Sequence, residues 1–352
     1  MRGHHVWIAI AGLTVASAAH PQENPNPSSA PVQPAAAAQP AAPAQPAAPA
    51  EPVVREEVRP PFGRILNGHV FMPSATVPGA LVTTSFASYL VAGLGSTTGS
   101  FQIGSRTFSG TYDFAGAGSV LGYEHAFGPY FSARFSLNEI IYSGIDGKSA
   151  LAVGTQVQFG GLLGATASLP VGDSLRLALL FDIGSTPSLG LTLGTGIQSI
   201  VNSCQQPTGC NIDTSQLFGS TQVQTTQPAV AATWAPIRAL GVTGNLAYAH
   251  LSQKRHETTF SSDVMSLGIA SDFDFGAISS VPIGLMLQFS WSAPISGQGV
   301  QHVTDLGGGI FYTGRQHLAV GVQLVARRFA VEQSLNVSWK TYITTIGLRY
   351  YW

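Results

Sequence analysis

The chain has 352 residues, of which 16 are Lys or Arg and 17 are Asp or Glu; charged residues make up 9% and apolar residues 45%. A typical soluble domain carries roughly 25% charged residues, so a water-facing globular surface is hard to build from this composition. A formal net charge of −1 gives no general attraction to nucleic acid. No run of about 20 apolar residues occurs after residue 19, which excludes a bundle of spanning helices. A closed β-barrel is the other structure that can cross a bilayer, because its strands satisfy every backbone donor and acceptor among themselves.

Residues 1–19 read as a secretory signal. Arg2 supplies the positive start, Val6 to Val15 a short apolar core, and Ala16-Ser17-Ala18 a small-residue cleavage site. Residues 20–60 read as a disordered periplasmic linker. Eleven of the chain's 22 prolines and eleven alanines fall between residues 21 and 60, and proline fixes φ while removing a backbone donor. Such a segment is an extended tether of about 3.1 Å per residue, on the order of 100 Å in all. It serves as a spacer or, alternatively, as an arm reaching peptidoglycan or a periplasmic partner. Residues 61–78 mix Arg64, His69 and Phe71 with Pro73 and Pro78 and suggest a short strap or plug.

Over residues 79–352 apolar residues alternate with Gly, Ser, Thr and Gln at period two. Ile283, Leu285, Leu287, Phe289 and Trp291 share one face; Gly284, Gln288, Ser290 and Ser292 share the other. Leu175, Leu177, Leu179, Phe181 and Ile183 alternate in the same way with Arg176, Ala178, Leu180 and Asp182. The polar faces are mostly small and uncharged, which fits lipid outside and a polar lumen inside. The pattern predicts an all-β, antiparallel, up-and-down transmembrane barrel of about twelve strands. Their spans are 80–94, 110–127, 130–142, 149–169, 174–185, 222–235, 239–252, 258–274, 283–294, 301–313, 317–328 and 338–352. Short turns, as at Gly128-Pro129, are expected at one end and longer connections, around 95–109, 186–221 and 329–337, at the other.

The last strand carries a more specific signal. Ile346, Leu348, Tyr350 and Trp352 share one face and end the chain. This resembles the C-terminal aromatic signature by which Gram-negative outer-membrane β-barrels are recognised for assembly. The resemblance is to the broad class and covers roughly residues 79–352. It implies an outer-membrane location with both termini in the periplasm, outer-membrane lipid around the barrel, and the barrel-assembly machinery as a partner. Cys204 and Cys210 lie in the longest predicted loop, separated by Gln205-Gln206-Pro207-Thr208-Gly209, and a disulfide between them suits an exported protein. A metal site there is not expected, since no His lies between residues 126 and 249, and nothing in the sequence calls for a cofactor.

Parity places Glu124, Arg134, Arg176, Asp182, Asp272, Asp274, Asp305, Arg327 and Arg349 toward the lumen. Charges of both signs can form cross-strand ion pairs that fill a narrow barrel, or a path that orders small solutes by charge. One outward constellation has the layout of an enzyme: His250 and Ser252 share a strand face, and a hairpin centred near residue 256 or 257 sets Asp263 across from His250. It resembles the lipid A deacylase and the outer-membrane phospholipase, which use an outward His-X-Ser pair. The resemblance makes His250 the base, Ser252 the nucleophile and Asp263 the orienting group. Gln253-Lys254-Arg255 follow where those families carry a different polar signature. Three functions therefore stand: a passive channel for small solutes, a structural or wall-tethering barrel, and an outer-leaflet lipid hydrolase.

Overall fold

A computed structural model describes residues 63–103, 106–146, 151–192, 218–255, 258–297, 302–330 and 338–352. The secretory segment, the Pro/Ala-rich segment and both cysteines lie outside the described residues. Two short strands, β1 (Ile65–Leu66) and β2 (His69–Val70), form a hairpin. Twelve long strands follow in one closed antiparallel barrel. They are β3 (Ser85–Ile103), β4 (Arg106–Ala126), β5 (Phe131–Asp146), β6 (Leu151–Val171), β7 (Leu175–Thr192) and β8 (Phe218–Ile237). The circuit continues with β9 (Leu240–Arg255), β10 (Thr258–Asp274), β11 (Ile283–Gly297), β12 (His302–Tyr312), β13 (Leu318–Ala330) and β14 (Ser338–Tyr351). Each strand pairs with its neighbours in sequence, and β14 closes on β3 with Tyr351 opposite Ser85.

The wall inverts the burial of a soluble protein. On β7, Leu177, Leu179, Phe181 and Ile183 face outward at 45–65% exposure, while Ala178 and Leu180 face inward and are buried. Such a belt is stable in hydrocarbon and not in water. Aromatic side chains rim it at both ends, as transmembrane barrels arrange them at the two interfaces. Near the short turns, Tyr123 contacts His125 and Trp352, Phe127 lies against Phe131, and Tyr350 against Trp352. Toward the other end, Tyr248, Trp291 and Tyr342 point outward.

Strand number and order are as the alternation predicts, but several limits differ. The expected connection at 95–109 is mostly strand, since β3 reaches Ile103 and β4 starts at Arg106. Likewise β7 runs on to Thr192 and β8 begins at Phe218. Beyond the lipid belt no side-chain alternation is needed, yet pairing still satisfies the backbone, so Gly/Ser/Thr-rich extensions continue the ladder. At the other extreme, residues 80–84 are not barrel wall. Ala80 and Val82 are 0% and 1% exposed, but they are buried inside the lumen.

Candidate functional site

Residues 63–84 lie within the barrel at its short-turn end and form a plug held to the wall by named contacts. Asn67 and Gly68 have φ of +48° and +76°, the left-handed pair that a two-residue hairpin between twisted strands requires. The hairpin carries Arg64 and His69 into the lumen. Arg64, 2% exposed, donates to the carbonyls of Arg315, Gln316 and Leu318 at 2.7–2.9 Å and to that of Phe71 at 3.2 Å. Burial lowers its pKa from the ordinary value, with Tyr351 and Asp274 opposing the shift, and the guanidinium stays a cation. Its charge also sits over the Tyr351 ring, 5.1 Å from the centroid.

His69 is 0% exposed. Its Nδ1 meets the Arg238 carbonyl at 3.0 Å and its Nε2 meets Asp272 at 2.9 Å, so both ring nitrogens face oxygen acceptors. Asp272 also accepts from the Met72 backbone N–H at 2.7 Å. Further along, Ser74 and the Ala75 N–H share the Gln288 side-chain oxygen, and Gln323 both accepts from Ala75 and donates to the Pro73 carbonyl. The returning limb is tied by Ala80 N–H to Thr233, Ser168 to the Ala80 carbonyl, and Thr83 to Glu124. Glycines in the wall leave room for this segment. A Cβ on Gly241 would lie 2.5 Å from His69 Nε2, and one on Gly284 would collide with the Met72 methyl.

All nine lumen residues named from parity stand at inward positions of the wall, and they divide into groups. Glu124 and Asp272 hold the plug directly. Arg349 bonds Glu124 at 2.6 Å and Ser85 at 2.9 Å. Asp274 accepts from Thr313 and the Gly276 N–H and so shapes a turn, while Arg176 donates to the Pro129 carbonyl at another. Arg134 pairs with Asp182 at 2.6 Å. They reach each other across Gly164 of β6, whose register position lies between them and where a Cβ would meet both. Arg327 pairs bidentately with Asp305 at 2.7 and 2.8 Å, beyond Gln323 along β13. Four ion-paired residues thus line the lumen without touching the plug through any of these bonds.

On the outer face, Asp263 stands opposite His250 in the β9–β10 register, and Ser252 opposite Ser261. His250 Nδ1 lies 2.8 Å from Asp263, which also accepts from Tyr248 at 2.7 Å and Ser296 at 2.5 Å. Three donors therefore fix the carboxylate at the rim of the apolar belt. Among the described residues Ser252 forms no hydrogen bond with His250 or Asp263, so the base and orienting groups meet while the nucleophile of that constellation stands apart.

A closed wall with an apolar belt, aromatic rims and a polar interior defines a transmembrane β-barrel of the outer-membrane type, here with a lumenal plug. Neither a protein-family model nor a curated protein matches the chain. Among solved structures it is similar to the translocator domain of the autotransporter NalP from Neisseria meningitidis, at 13% identity and a TM-score of 0.43, covering 75% of this chain and 88% of that one. It is also similar to the β domain of the Bordetella autotransporter BrkA, at 11% identity and a TM-score of 0.48, covering 77% and 100%. The KdgM porin matches at 12% identity and a TM-score of 0.34, covering 73% and 98%. These are similarities of fold alone.

What the sequence did not disclose is the plug's seating. The Asn67-Gly68 pair is a hairpin signal. The glycines opposite it, Gly241 and Gly284, look like ordinary small lumen positions until the segment they admit is seen.

Proposed function

We propose that this chain is a bacterial outer-membrane channel for small solutes, with residues 63–84 closing the short-turn end of the lumen until they shift. The carrying observation is the division of the lumen. One part is occupied by a segment held through hydrogen bonds to replaceable acceptors, and the rest is lined by paired charges and small residues. The short-turn end faces the periplasm in this reading, with both termini on that side. Ile346, Leu348, Tyr350 and Trp352 serve recognition by the assembly machinery. The test is single-channel conductance in a planar bilayer, comparing wild type with Asp272→Asn. The wild type opens rarely or narrowly, and the variant, having lost its charged acceptor for His69, opens several-fold more often. A protein whose conductance and solute flux are both nil, with or without the substitution, refutes the channel.

A second reading, an outer-leaflet lipid hydrolase, rests on the His250–Asp263 hydrogen bond beside Ser252. That arrangement gives a hydroxyl nucleophile an oriented base once Ser252 rotates toward Nε2. Fatty-acid release from phospholipid that Ser252→Ala abolishes would establish it, and equal release by both proteins would end it.

A further inference from the structure

The outward faces of β13 and β14 end in cations at one level of the wall. Arg328 lies ten positions along β13 from Leu318, and Lys340 lies ten positions along β14 from Tyr350, the residue opposite Leu318. Ten positions at about 3.3 Å each span roughly 33 Å of strand. The tilt of about 35–45° that transmembrane strands adopt reduces this to about 25 Å of height, the thickness of the apolar band. Val320, Val322 and Leu324 precede Arg328 on its face, and Tyr342, Ile346 and Leu348 lie between Lys340 and Tyr350, all of them exposed. Both cations therefore stand where the apolar belt ends, away from the short turns.

Arg328 and Lys340 are directly opposite each other in the β13–β14 register, and both are exposed. Like charges in such a cross-strand pair repel. The single side-chain carboxylate on β11 to β14 is Asp305, which is buried, faces inward and is bonded to Arg327. Asp113 of β4 shares the outward row of Lys340, but Ser96 of β3 stands between them, and two strand spacings are about 10 Å. Among the described residues neither cation forms an ion pair. On the other side, Thr304 of β12 is opposite both Arg328 and Trp291. The Trp291 ring stacks on His302 with centroids 5.9 Å apart. Two unneutralised cations thus sit side by side at the rim, flanked by Trp291 and Tyr342.

We propose that Arg328 and Lys340 form a binding site for the phosphate monoester of an anionic lipid, in the leaflet at the end opposite the short turns. That is the outer leaflet in the orientation given above. A phosphate monoester carries about −1.5 to −2 charges at pH 7, which matches two cations. The guanidinium engages two phosphate oxygens at once, and the ammonium meets the third as a point charge. A shared anion turns the repulsion of the pair into attraction. The acyl chains lie along Val322, Leu324 and Ile346, with Trp291 and Tyr342 at headgroup level, where aromatic residues of membrane proteins concentrate. Lys254 of β9 provides the contrast. It is exposed and outward, but Gln222 and Thr259 stand opposite it, so it offers a phosphate one charge and no second cation. The site goes beyond the channel reading and stands whether or not the barrel conducts.

The test is native mass spectrometry of the full-length barrel in a neutral detergent, titrated with three lipids of identical acyl chains. Phosphatidic acid presents a phosphate monoester, phosphatidylglycerol a diester, and phosphatidylcholine no net charge. The first phosphatidic acid is expected to bind about tenfold more tightly than phosphatidylcholine, the scale of a charge-assisted hydrogen bond, and several-fold more tightly than phosphatidylglycerol. Arg328→Gln combined with Lys340→Gln should bring phosphatidic acid to the level of phosphatidylcholine, whereas Lys254→Gln should leave its binding unchanged. All three side chains are exposed, so the changes carry little folding risk, and heat-modified gel migration confirms that each variant is folded. A preference retained in the double variant, or lost equally in Lys254→Gln, overturns the site, as does equal binding of the three lipids. Inorganic phosphate in millimolar excess should leave the lipid bound. Full displacement by it would mean a site for the free anion and would overturn the lipid site as well.

Discussion

The two ends of the lumen are built from the same wall and solve opposite problems. At the short-turn end, inward Asp272, Glu124, Gln288 and Gln323 find partners on an inserted segment, and glycines such as Gly241 and Gly284 are filled by His69 and Met72. Farther along, a Cβ on Gly93 would meet only ordinary contacts, whereas one on Gly116 would lie 2.9 Å from Tyr142, and the hydroxyls of Thr341 and Thr345 have no hydrogen-bond partner among the described residues. A glycine on a lumen face therefore has no fixed meaning. It seats an inserted segment at Gly241 and Gly284, and at Gly164 it lets wall side chains meet across it.

The comparison can be broken most forcefully at the plug's latch. Asp272→Ala removes the acceptor of both His69 and the Met72 N–H. Two buried donors left without partners cost roughly 2–5 kcal/mol. The expected results are a lower thermal transition, read by heat-modified gel migration, and a several-fold rise in conductance. Unchanged conductance with lowered stability would mean that the latch holds the barrel and not a gate.

The outer belt should respond by depth. Leu179 lies at the centre of the outward apolar set on β7 and is 65% exposed. Leu179→Arg should cost about 2–4 kcal/mol of folding into lipid, whereas a charge near the interface costs about 0–1 kcal/mol. Refolding titrations of Leu179→Arg and Ser185→Arg compare the two, and equal costs would contradict a belt centred on Leu179. Gly284→Val is expected to expel Met72 from its seat at about 1–3 kcal/mol while leaving the upper lumen unchanged. Protease access to residues 63–84 reports that release, and protection equal to wild type would show that the plug can adjust. The smallest effect is at the hairpin turn, where Gly68 has φ +76° and a Cβ would lie 3.1 Å from Arg238. Gly68→Ala should cost about 1 kcal/mol, detectable as a modest shift in the same protease assay.

The outward Asp263 was legible as a neighbour of His250 because counting outward from residue 256 or 257 sets the register by itself, and Asp263 does pair with His250. Strand limits were less legible. The alternation that marks β7 so clearly at Leu175–Ile183 fades in Gly/Ser/Thr sequence, although the ladder goes on to Thr192. Ala80 and Val82 misled in the opposite direction, since a buried plug limb and a strand start share the same apolar texture.

By itself the sequence determined the class of structure. Sparse charge, period-two alternation and turn spacing force backbone pairing into a closed antiparallel sheet, and cross-strand parity decides which side chains face lipid. Only the tertiary structure decided how the lumen is used. That Arg134 meets Asp182 across Gly164, that Asp272 holds His69, and that the Thr341 hydroxyl has no hydrogen-bond partner among the described residues all depend on which residues distant in the chain come to the same height inside the wall. Local pattern cannot encode this, because parity states which face a side chain is on and says nothing about what stands opposite it.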